Sequence, residues 1–318
     1  MPTTRGGLIL PTFRRVVTCQ SKQAILCIEN LSHDLLRPAH ISKIRHESTA
    51  VGGNCGQNAA EEQVSLLEGK YNPTKDMKLA VFDLDGTLTA TNAVDDACFV
   101  RALRIVFDID LINTNWTAYS HVTDASVMAV AFGEKHDRDP EPAEISRFIE
   151  CFVALLNEEC PNRPDLFGEI PGAVAFLAAI RQHSEWRAAI ATGGWERSAR
   201  FKMMASQIDA DGMPAAFAED GPARETIVEA AIIRACAAYA TSTFEKIVLV
   251  GDAIWDVRTA RRLGLRFVGV GSGDRATALR SAGAGAVIEN FLNYEYCMEC
   301  FESAAIPTPA GDPTSRQD

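Results

Sequence analysis

The sequence predicts an α/β fold in which helices cover both faces of a parallel sheet. Two observations support this prediction: short apolar runs recur along the chain and end at Gly, Ser, Thr or Asp, and amphipathic helical stretches separate them. Strands that alternate with helices in this way form parallel sheets, because each crossover places a helix against a face of the sheet. A third observation adds a helical insertion, since residues 91–165 interrupt the alternation directly after the first apolar run.

Four apolar runs are predicted to be strands. The first is residues 79–82 and ends at acidic residues, and the others are residues 187–191, 247–250 and 267–270. Brief apolar runs bounded by polar or turn-forming residues are typical of strands buried in a parallel sheet.

Three helices are predicted between and after these strands. Residues 171–183 place apolar side chains on adjoining faces and begin with Pro171, which suits the first position of a helix. Residues 224–238 and 257–263 show the same periodicity. Gly264 and Gly283 suit the C-terminal ends of helices, where the backbone often becomes left-handed.

The inserted segment is predicted to be helical. Residues 94–106 and 144–158 have helical patterns, and residues 91–165 contain no apolar run that would suit a strand. The insertion follows the first strand and its acidic loop.

Composition excludes several classes of protein. Of the 318 residues, 47% are hydrophobic, which is too many for a chain disordered throughout. No run of 18 apolar residues occurs, so we expect no membrane-spanning helix and no membrane partner. The net charge of −11 and the pI near 5.1 argue against nucleic-acid binding.

The cysteines indicate a reducing compartment. They are nine in number and scattered, which is typical of free thiols and favours a cytoplasmic location. Cys297 and Cys300 form the one close pair. No second pair or His cluster accompanies them, so we interpret them as two thiols near a helical tail rather than a zinc or redox site.

Residues 1–76 differ from the remainder. They show no sustained periodicity and carry 9 basic against 7 acidic residues, a net of +2, whereas the rest carries 22 against 35, a net of −13. We predict a disordered N-terminal extension, with the folded part beginning near Met77. The first 28 residues contain four basic residues and no acid, so import into an organelle is the alternative, and an upstream misread start is another.

Polar residues follow the predicted strands. The first strand leads into Asp83-Leu84-Asp85-Gly86-Thr87, the second into Thr192-Gly193-Gly194, and the third ends in Gly251-Asp252 with Asp256 close behind. Arg224 begins a predicted helix. Ligands of open parallel sheets bind beyond the carboxyl ends of the strands, so these groups should share one crevice.

These residue types suit phosphoryl chemistry. Several carboxylates in one crevice repel each other unless a cation joins them, and oxygen ligands of this kind suit Mg²⁺. Thr192, Arg224 and the backbone N–H groups of residues 85–87 offer hydrogen bonds to an anion. Asp83 can attack phosphorus to give an aspartyl phosphate, and Asp85 can protonate the leaving group and later accept a proton from water.

The motif Asp83-Leu-Asp-Gly-Thr-Leu-Thr89 resembles the first motif of the haloacid dehalogenase superfamily of hydrolases. Thr192 is similar to its second motif, and Gly251-Asp252 with Asp256 is similar to its fourth. The third motif most often has Lys, where this chain has Arg224, with Lys202 as a less favoured substitute. The resemblance extends from residue 77 to about residue 293.

This resemblance implies a Rossmann-like core and Mg²⁺-dependent phosphoryl transfer through an aspartyl phosphate. Asp83 would be the nucleophile and Asp85 the general acid and base. Asp85 also favours phosphate esters over haloacids, because a halide leaving group needs no proton. The remaining implied roles are Mg²⁺ binding by Asp83, the backbone carbonyl of Asp85 and Asp252, support of that site by Asp256, and phosphoryl binding by Gly86, Thr87, Thr192, Gly193 and Arg224.

Spacing identifies the insertion as a helical cap of the resembled family. Asp85 and Thr192 are 107 positions apart, whereas Thr192 and Arg224 are only 32 apart. A long first gap is found in phosphoglycolate phosphatase-like and β-phosphoglucomutase-like members, which implies a small phosphorylated metabolite as substrate. The predicted domains are a core of residues 77–90 and 166–295, a cap of residues 91–165, and a C-terminal tail of residues 296–318.

One stretch of the cap has two interpretations. His121, Thr123 and Asp124 resemble a substrate-facing loop of the family. Alternatively, Thr123 or Asp124 begins a helix, while Trp116 and Tyr119 pack inside the cap.

Three alternative functions remain at this point. One is a phosphomutase. Another is a phosphonate-cleaving enzyme, which would need a cap lysine, and Lys135 is the one lysine between Thr89 and Arg187. The third is a non-catalytic binder of phosphorylated ligands, which the presence of Asp83 and Asp85 disfavours. We expect a monomer or a homodimer.

Overall fold

A parallel six-stranded sheet forms the centre of the protein, in a computed structural model that describes residues 77–308. The strands lie in the order β3-β2-β1-β4-β5-β6 and all neighbours are parallel. The predicted α/β class with a Rossmann-like sheet is therefore confirmed. The strands are β1 (Lys78–Phe82), β2 (Trp186–Ala191), β3 (Ala215–Ala216), β4 (Lys246–Gly251), β5 (Arg266–Val270) and β6 (Ala286–Ile288).

Nine α-helices accompany these strands in the described residues. Four of them lie between β1 and β2, and the first three make up the inserted segment: α1 (Asn92–Phe107), α2 (Asp124–His136) and α3 (Pro142–Asn162). The others are α4 (Ala173–Gln182), α5 (Glu196–Ala205), α6 (Arg224–Ala238), α7 (Ile254–Leu263), α8 (Gly273–Ser281) and α9 (Tyr294–Ser303).

The four predicted strands all occur, each within a residue or two of its predicted bounds. The two strands that we did not predict are β3 and β6, which have two and three residues. Runs this short carry no measurable periodicity, so pairing with a longer neighbour defines them.

The helix-end predictions had mixed outcomes. Gly264 ends α7 with a left-handed φ of 65°, as predicted. Pro171 does not begin α4, because the helix starts at Ala173 and left-handed Gly172 (φ 84°) precedes it. A Cβ on Gly172 would lie 2.7 Å from the backbone of Phe291, so both this close approach and the left-handed backbone require glycine here.

The side chains of each central strand alternate between two apolar layers. In β1, Ala80 and Phe82 pack with α4, α5 and α9, whereas Leu79 and Val81 pack with α6, α7 and α8. This alternation follows from the two-residue period of a strand. Both faces of the sheet are therefore buried, as expected for a parallel sheet.

Helices α1–α3 enclose an apolar cluster of their own. Its centre is aromatic: Phe99 packs edge-on against Phe148 and Phe152, and Phe107 stacks on Phe148 with ring centroids 5.8 Å apart. Trp195, from the loop after β2, completes the cluster. The inserted segment thus has an interior separate from both layers of the sheet.

The predicted C-terminal tail, residues 296–318, overlaps a helix that packs on the sheet. Residues up to 303 belong to α9, and Cys297 and Phe301 of that helix are fully buried in the layer under β1. The apolar side chains of α9 pack against one face of the sheet, so this helix belongs to the core. Residues 309–318, like the predicted extension of residues 1–76, lie outside the described part.

The cysteines of the described residues are all free. Cys297 and Cys300 are buried in α9, and burial raises the pKa of the Cys297 thiol to about 11, which keeps it protonated at neutral pH. None of the helices within residues 77–308 is both long enough and apolar enough to cross a membrane.

Candidate active site

The three central strands bring the polar loops together. In the sheet β1 lies between β2 and β4, and Phe82 at its end is in register with Ile190 and Val250. The loops that follow these strands therefore begin side by side. From β1 the chain adds β2 and β3 toward one edge of the sheet, and it then adds β4, β5 and β6 toward the other edge. Open α/β sheets bind ligands where the strand order reverses in this way.

A buried acidic cluster lies at this position. One carboxylate oxygen each of Asp83, Asp252 and Asp256 lies within 4.8 Å of the others, and these side chains are at most 6% exposed. Burial and neighbouring carboxylates raise the pKa of Asp83 and of Asp252 to about 7, and that of Asp256 to about 6. Oxygen ligands that are this crowded and buried suit a hard divalent cation, which would relieve their repulsion.

Two further groups hold Asp252. Arg275 approaches its Oδ2 atom at 2.8 Å, and the amide of Asn92 donates to the same oxygen at 3.1 Å. Sequence reasoning missed both residues. Asn92 is the first residue of α1 and Arg275 lies in α8, and neither belongs to the motifs from which the site was predicted.

Arg224 connects the two sides of the acidic cluster. Its Nη1 atom lies 3.2 Å from Asp83 Oδ1 and 2.8 Å from Asp256 Oδ1, and its Nε donates to the carbonyl of Val122 at 2.9 Å. Burial opposes the charge of this guanidinium, but Asp256 and Asp83 outweigh that effect and raise its pKa. The geometry thus favours Arg224, rather than Lys202, beside Asp83.

The loop after β2 contributes a hydroxyl and a close backbone approach. The Oγ1 of buried Thr192 accepts a hydrogen bond from the N–H of Gly194 at 3.1 Å. A Cβ on Gly193 would lie 3.1 Å from Arg224 Nη2 and 3.0 Å from the carbonyl of Val122. Thr192 and Gly193 therefore lie beside Arg224, as the sequence predicts.

The loop after β1 turns sharply at Gly86. Its φ of 76° is left-handed, and a Cβ there would overlap the carboxylate of Asp252. Thr87 is completely buried, and its Oγ1 has no hydrogen-bond partner within residues 77–308. The loop thus brings its backbone directly against the acidic cluster.

Asp85 contacts a lysine that we had considered only as a substitute for Arg224. Lys202 on α5 is fully buried, and its ammonium lies 2.6 Å from Asp85 Oδ2 and 2.5 Å from Asp95 Oδ1. The hydroxyl of Thr91 donates to the other oxygen of Asp85 at 2.5 Å. No pattern in the sequence identifies Asp95, since an acid in the first turn of a helix is ordinary.

A cleft that is partly open to solvent is lined by several of these groups, among them Asp83, Asp85 and Arg224. The loops of the sheet form its floor. The inserted helical segment forms its other walls, through acids and aromatic rings. That side of the lining includes Asp95, Asp96, Phe99, Trp116, Thr123 and Asp124.

Of the three residues in the substrate-facing interpretation, Thr123 and Asp124 line the cleft and His121 does not. Thr123 is buried and is the N-cap of α2, where its hydroxyl accepts from the N–H of Ser126 at 3.2 Å. Asp124 lines the cleft, and its Oδ2 accepts from the N–H of Trp195. His121 lies instead in a neighbouring groove beside Arg258 and Arg262. Both interpretations therefore describe part of the stretch.

Both the sequence and the fold of this chain are similar to those of known proteins. A model of the haloacid dehalogenase-like hydrolase family matches residues 77–264. No curated protein matches the sequence significantly.

Solved structures share the fold at low identity. A hydrolase from Pseudomonas syringae is 21% identical, with 69% of this chain and 97% of that chain covered and a TM-score of 0.53. A proposed β-phosphoglucomutase from Bacteroides vulgatus is 18% identical, with coverages of 76% and 96% and a TM-score of 0.51. CbbY from Rhodobacter sphaeroides, solved with phosphate, is 18% identical, with coverages of 68% and 95% and a TM-score of 0.50.

The family match covers more than half of the chain and includes β1, β2, β4 and the loops that converge at their ends. The protein is therefore a hydrolase of the haloacid dehalogenase-like family.

Proposed function

We propose that the protein is a Mg²⁺-dependent phosphatase that hydrolyses a small phosphorylated metabolite through an aspartyl phosphate on Asp83. The main support is the buried cluster of Asp83, Asp252 and Asp256 with Arg224 against it. A nucleophilic carboxylate can approach a phosphate dianion only where positive charge offsets the repulsion between them.

The donor set fits Mg²⁺. Asp83, Asp252 and the backbone carbonyl of Asp85 would hold the ion, with Asp256 as a supporting group. When bound, the ion neutralises phosphoryl oxygens and thereby lowers the barrier to attack by an anion.

The chain itself supplies further phosphoryl contacts. Arg224 Nη2 has no hydrogen-bond partner in the described residues and lies near Gly193, so it is available to a phosphoryl oxygen. The Thr192 hydroxyl, the backbone of Gly193 and the turn at Gly86 and Thr87 lie in the same region. These donors would hold the phosphoryl group for attack by an Asp83 oxygen.

Asp85 would handle the proton in both halves of the reaction. It would protonate the oxygen of the departing alcohol as the bond to phosphorus breaks, and would then take a proton from the water that attacks the aspartyl phosphate. Asp85 lines the same cleft as Asp83, two residues away, which supports this division of roles.

Helices α1–α3 would act as the cap predicted for residues 91–165. They contribute Phe99 and Asp124 to the cleft, and the turn between α1 and α2 contributes Trp116, which supports a role in excluding water and selecting the leaving group. CbbY has also been solved with xylulose-1,5-bisphosphate, and a phosphorylated small molecule of that kind is in line with our proposal.

Observations on Lys135 disfavour the phosphonate-cleaving alternative. Lys135 lies in the last turn of α2, pairs with Asp108 at 3.7 Å and does not line the cleft. A Schiff base to a substrate in the cleft therefore has no candidate lysine in the inserted segment. The cytoplasmic location and the monomeric or dimeric state stay predictions.

The test is phosphate release from a panel of small phosphate esters by the 318-residue protein, with Mg²⁺ and with EDTA. We expect turnover only with Mg²⁺, and a loss of more than about a thousandfold in kcat for Asp83→Asn. Asp274→Asn, an exposed acid on α8, is the matched control and should retain activity.

Two outcomes would contradict the proposal. A folded protein that binds Mg²⁺ yet releases no phosphate from any ester would argue for a binder. Isomerised substrate without phosphate release would argue for a phosphomutase.

A further inference from the structure

We propose that Lys202, itself held by Asp95, is a positioning residue that orients the Asp85 carboxylate for its acid–base role. This inference rests on the function proposed above, because it assigns a task to Asp85. It concerns a lysine that does not contact the acidic cluster of Asp83, Asp252 and Asp256.

Both oxygens of Asp85 are held in place. Lys202 Nζ lies 2.6 Å from Oδ2, and the Thr91 hydroxyl donates to Oδ1 at 2.5 Å. Thr91 is itself bonded to the hydroxyl of Thr89 at 2.6 Å. A carboxylate with one strong contact on each oxygen has a single preferred rotation about its Cβ–Cγ bond.

Lys202 is held as firmly as the group that it orients. Its side chain has no exposed surface, and Asp95 Oδ1 lies 2.5 Å from its Nζ. The Nζ atom thus contacts one carboxylate on each side, and these two contacts place it beside Asp85.

Fold stability alone gives little reason for such a lysine. A buried ion pair contributes little net stability compared with well-packed apolar side chains, because desolvating the charges offsets their attraction. Lys202 nevertheless lies on the buried face of α5, together with the apolar residues Ala199 and Met203. Its placement on a carboxylate of the cleft is the feature that a structural role leaves unexplained.

The two buried cations of the site have separate partners. Arg224 pairs with Asp83 and Asp256, whereas Lys202 pairs with Asp85 and Asp95. Loss of Arg224 would therefore disturb the nucleophile and the acidic cluster. Loss of Lys202 would disturb Asp85 and Asp95, but neither the nucleophile nor Asp256.

The pair also joins two parts of the molecule. Lys202 belongs to α5 beside the sheet, while Asp95 is in the first turn of α1, the first helix of the inserted segment. Thr91 immediately precedes α1. The orientation of Asp85 therefore depends on where the beginning of α1 lies relative to α5.

Two aryl phosphates distinguish a loss of acid positioning from a general loss of activity in a variant. Phenyl phosphate and p-nitrophenyl phosphate differ by one nitro group, but nitrophenolate leaves without needing a proton. The kcat/KM of each ester reports the steps up to departure of the alcohol, so later hydrolysis of the aspartyl phosphate does not mask the effect.

We expect Lys202→Met to lower kcat/KM for phenyl phosphate by at least about ten times more than it lowers kcat/KM for p-nitrophenyl phosphate. A selective loss of this size lies within the range that general acid catalysis supplies. Asp85→Asn should show the same selectivity, more strongly. In the Asp85→Asn background, Lys202→Met should change the ratio of the two esters by less than about twofold, because the residue through which it acts is gone.

Two further variants address folding. Lys202→Met leaves Asp95 buried without its partner, so the double variant with Asp95→Asn removes that unpaired charge and should show the same selectivity. Lys78→Met removes another poorly exposed lysine that pairs with Glu302 at 2.8 Å at the opposite end of β1. That control should lower stability without changing the ratio of the two esters.

Equal losses on both esters in a folded variant, or no loss, would overturn the proposal. A crystal structure of the Lys202→Met protein provides a readout that does not depend on turnover. We expect the Asp85 carboxylate to rotate away from its present orientation, and an unchanged Asp85 would refute the inference. If the unmodified protein hydrolyses neither aryl phosphate, the panel of small phosphate esters decides the proposed function, and the crystal structure still decides whether Lys202 orients Asp85.

Discussion

Two glycines set how closely the backbone approaches the acidic cluster. Gly86 has a φ of 76°, and a Cβ there would overlap the carboxylate of Asp252. A Cβ on Gly251 would lie 2.5 Å from Asp256 Oδ2. Any side chain at either position would displace a carboxylate that we assign to the Mg²⁺ site.

Gly86→Ala is expected to weaken Mg²⁺ binding by about tenfold or more and to lower kcat accordingly. The added methyl group must push Asp252 aside, and the left-handed backbone adds strain of about 1–2 kcal/mol. Titration calorimetry with Mg²⁺ measures the first effect directly. Gly212→Ala is the matched control, because φ is 71° there and a Cβ would meet nothing within 4 Å. Equal Mg²⁺ affinity in both variants would show that the contact with Asp252 does not matter.

At the scale of secondary structure, one glutamate of α9 joins the three central strands. Glu302 accepts from the ammonium of Lys78 at 2.8 Å, the indole N–H of Trp186 at 2.9 Å and the ammonium of Lys246 at 3.2 Å. These are the first residues of β1, β2 and β4, which are in register. Burial acts to raise the pKa of Glu302, but the three donors prevail and lower it to about 2.

Glu302→Gln is expected to lower the free energy of unfolding at pH 7 by about 1 kcal/mol, a modest value because the side chain is 43% exposed. The folded pKa lies below the ordinary value of 4.5, so ionised Glu302 stabilises the fold above about pH 4.5, and this contribution is lost as the pH falls toward 2. Urea unfolding of both proteins should show a difference in the free energy of unfolding that is constant from pH 7 to about pH 4.5. This difference should shrink between about pH 4.5 and pH 3.

The matched control for this experiment is Glu245→Gln, since Glu245 is exposed and its side chain has no ion pair in the described residues. A difference that grew as the pH fell would contradict the assignment to Glu302.

At the scale of the whole molecule, the fold concentrates like charges at the centre of the sheet. Asp83, Asp252 and Asp256 are buried together although each is penalised by burial and by the others. Arg224 and Arg275 offset part of this repulsion. A ligand that binds the folded state alone stabilises it, and the divalent cation that we propose for this cluster would be such a ligand.

Mg²⁺ is therefore expected to raise the melting temperature. At a concentration one hundred times its Kd, the gain is about 2.7 kcal/mol, which corresponds to roughly 5–10 °C for a domain of this size. Differential scanning calorimetry with Mg²⁺ and with EDTA measures the shift. Asp252→Asn should abolish most of it, and Asp274→Asn should preserve it. A melting temperature that does not respond to Mg²⁺ would count against the metal site.

Local patterns were sufficient for much of the fold. The runs that became β1, β2, β4 and β5 are apolar, short and followed by polar residues, so their pairing in a parallel sheet followed from general rules. β3 and β6 escaped prediction because strands of two or three residues depend on a neighbour. α9 was assigned to a tail because nothing in its sequence states which surface its Phe301 covers.

The sequence by itself determined the family and the α/β class, since motifs and apolar runs are local patterns. It also placed Asp83, Thr192 and Asp252 after strands and Arg224 at the start of a helix, since these positions depend on spacing along the chain. Only the tertiary structure decided which cation meets which carboxylate. The sequence alone allows either Arg224 or Lys202 as the partner of Asp83. Because α5 and α6 pack against opposite faces of the sheet, Arg224 pairs with Asp83 and Lys202 pairs with Asp85. Contacts such as Lys202 with Asp95 join residues 107 positions apart, and no local pattern encodes a distance of that kind.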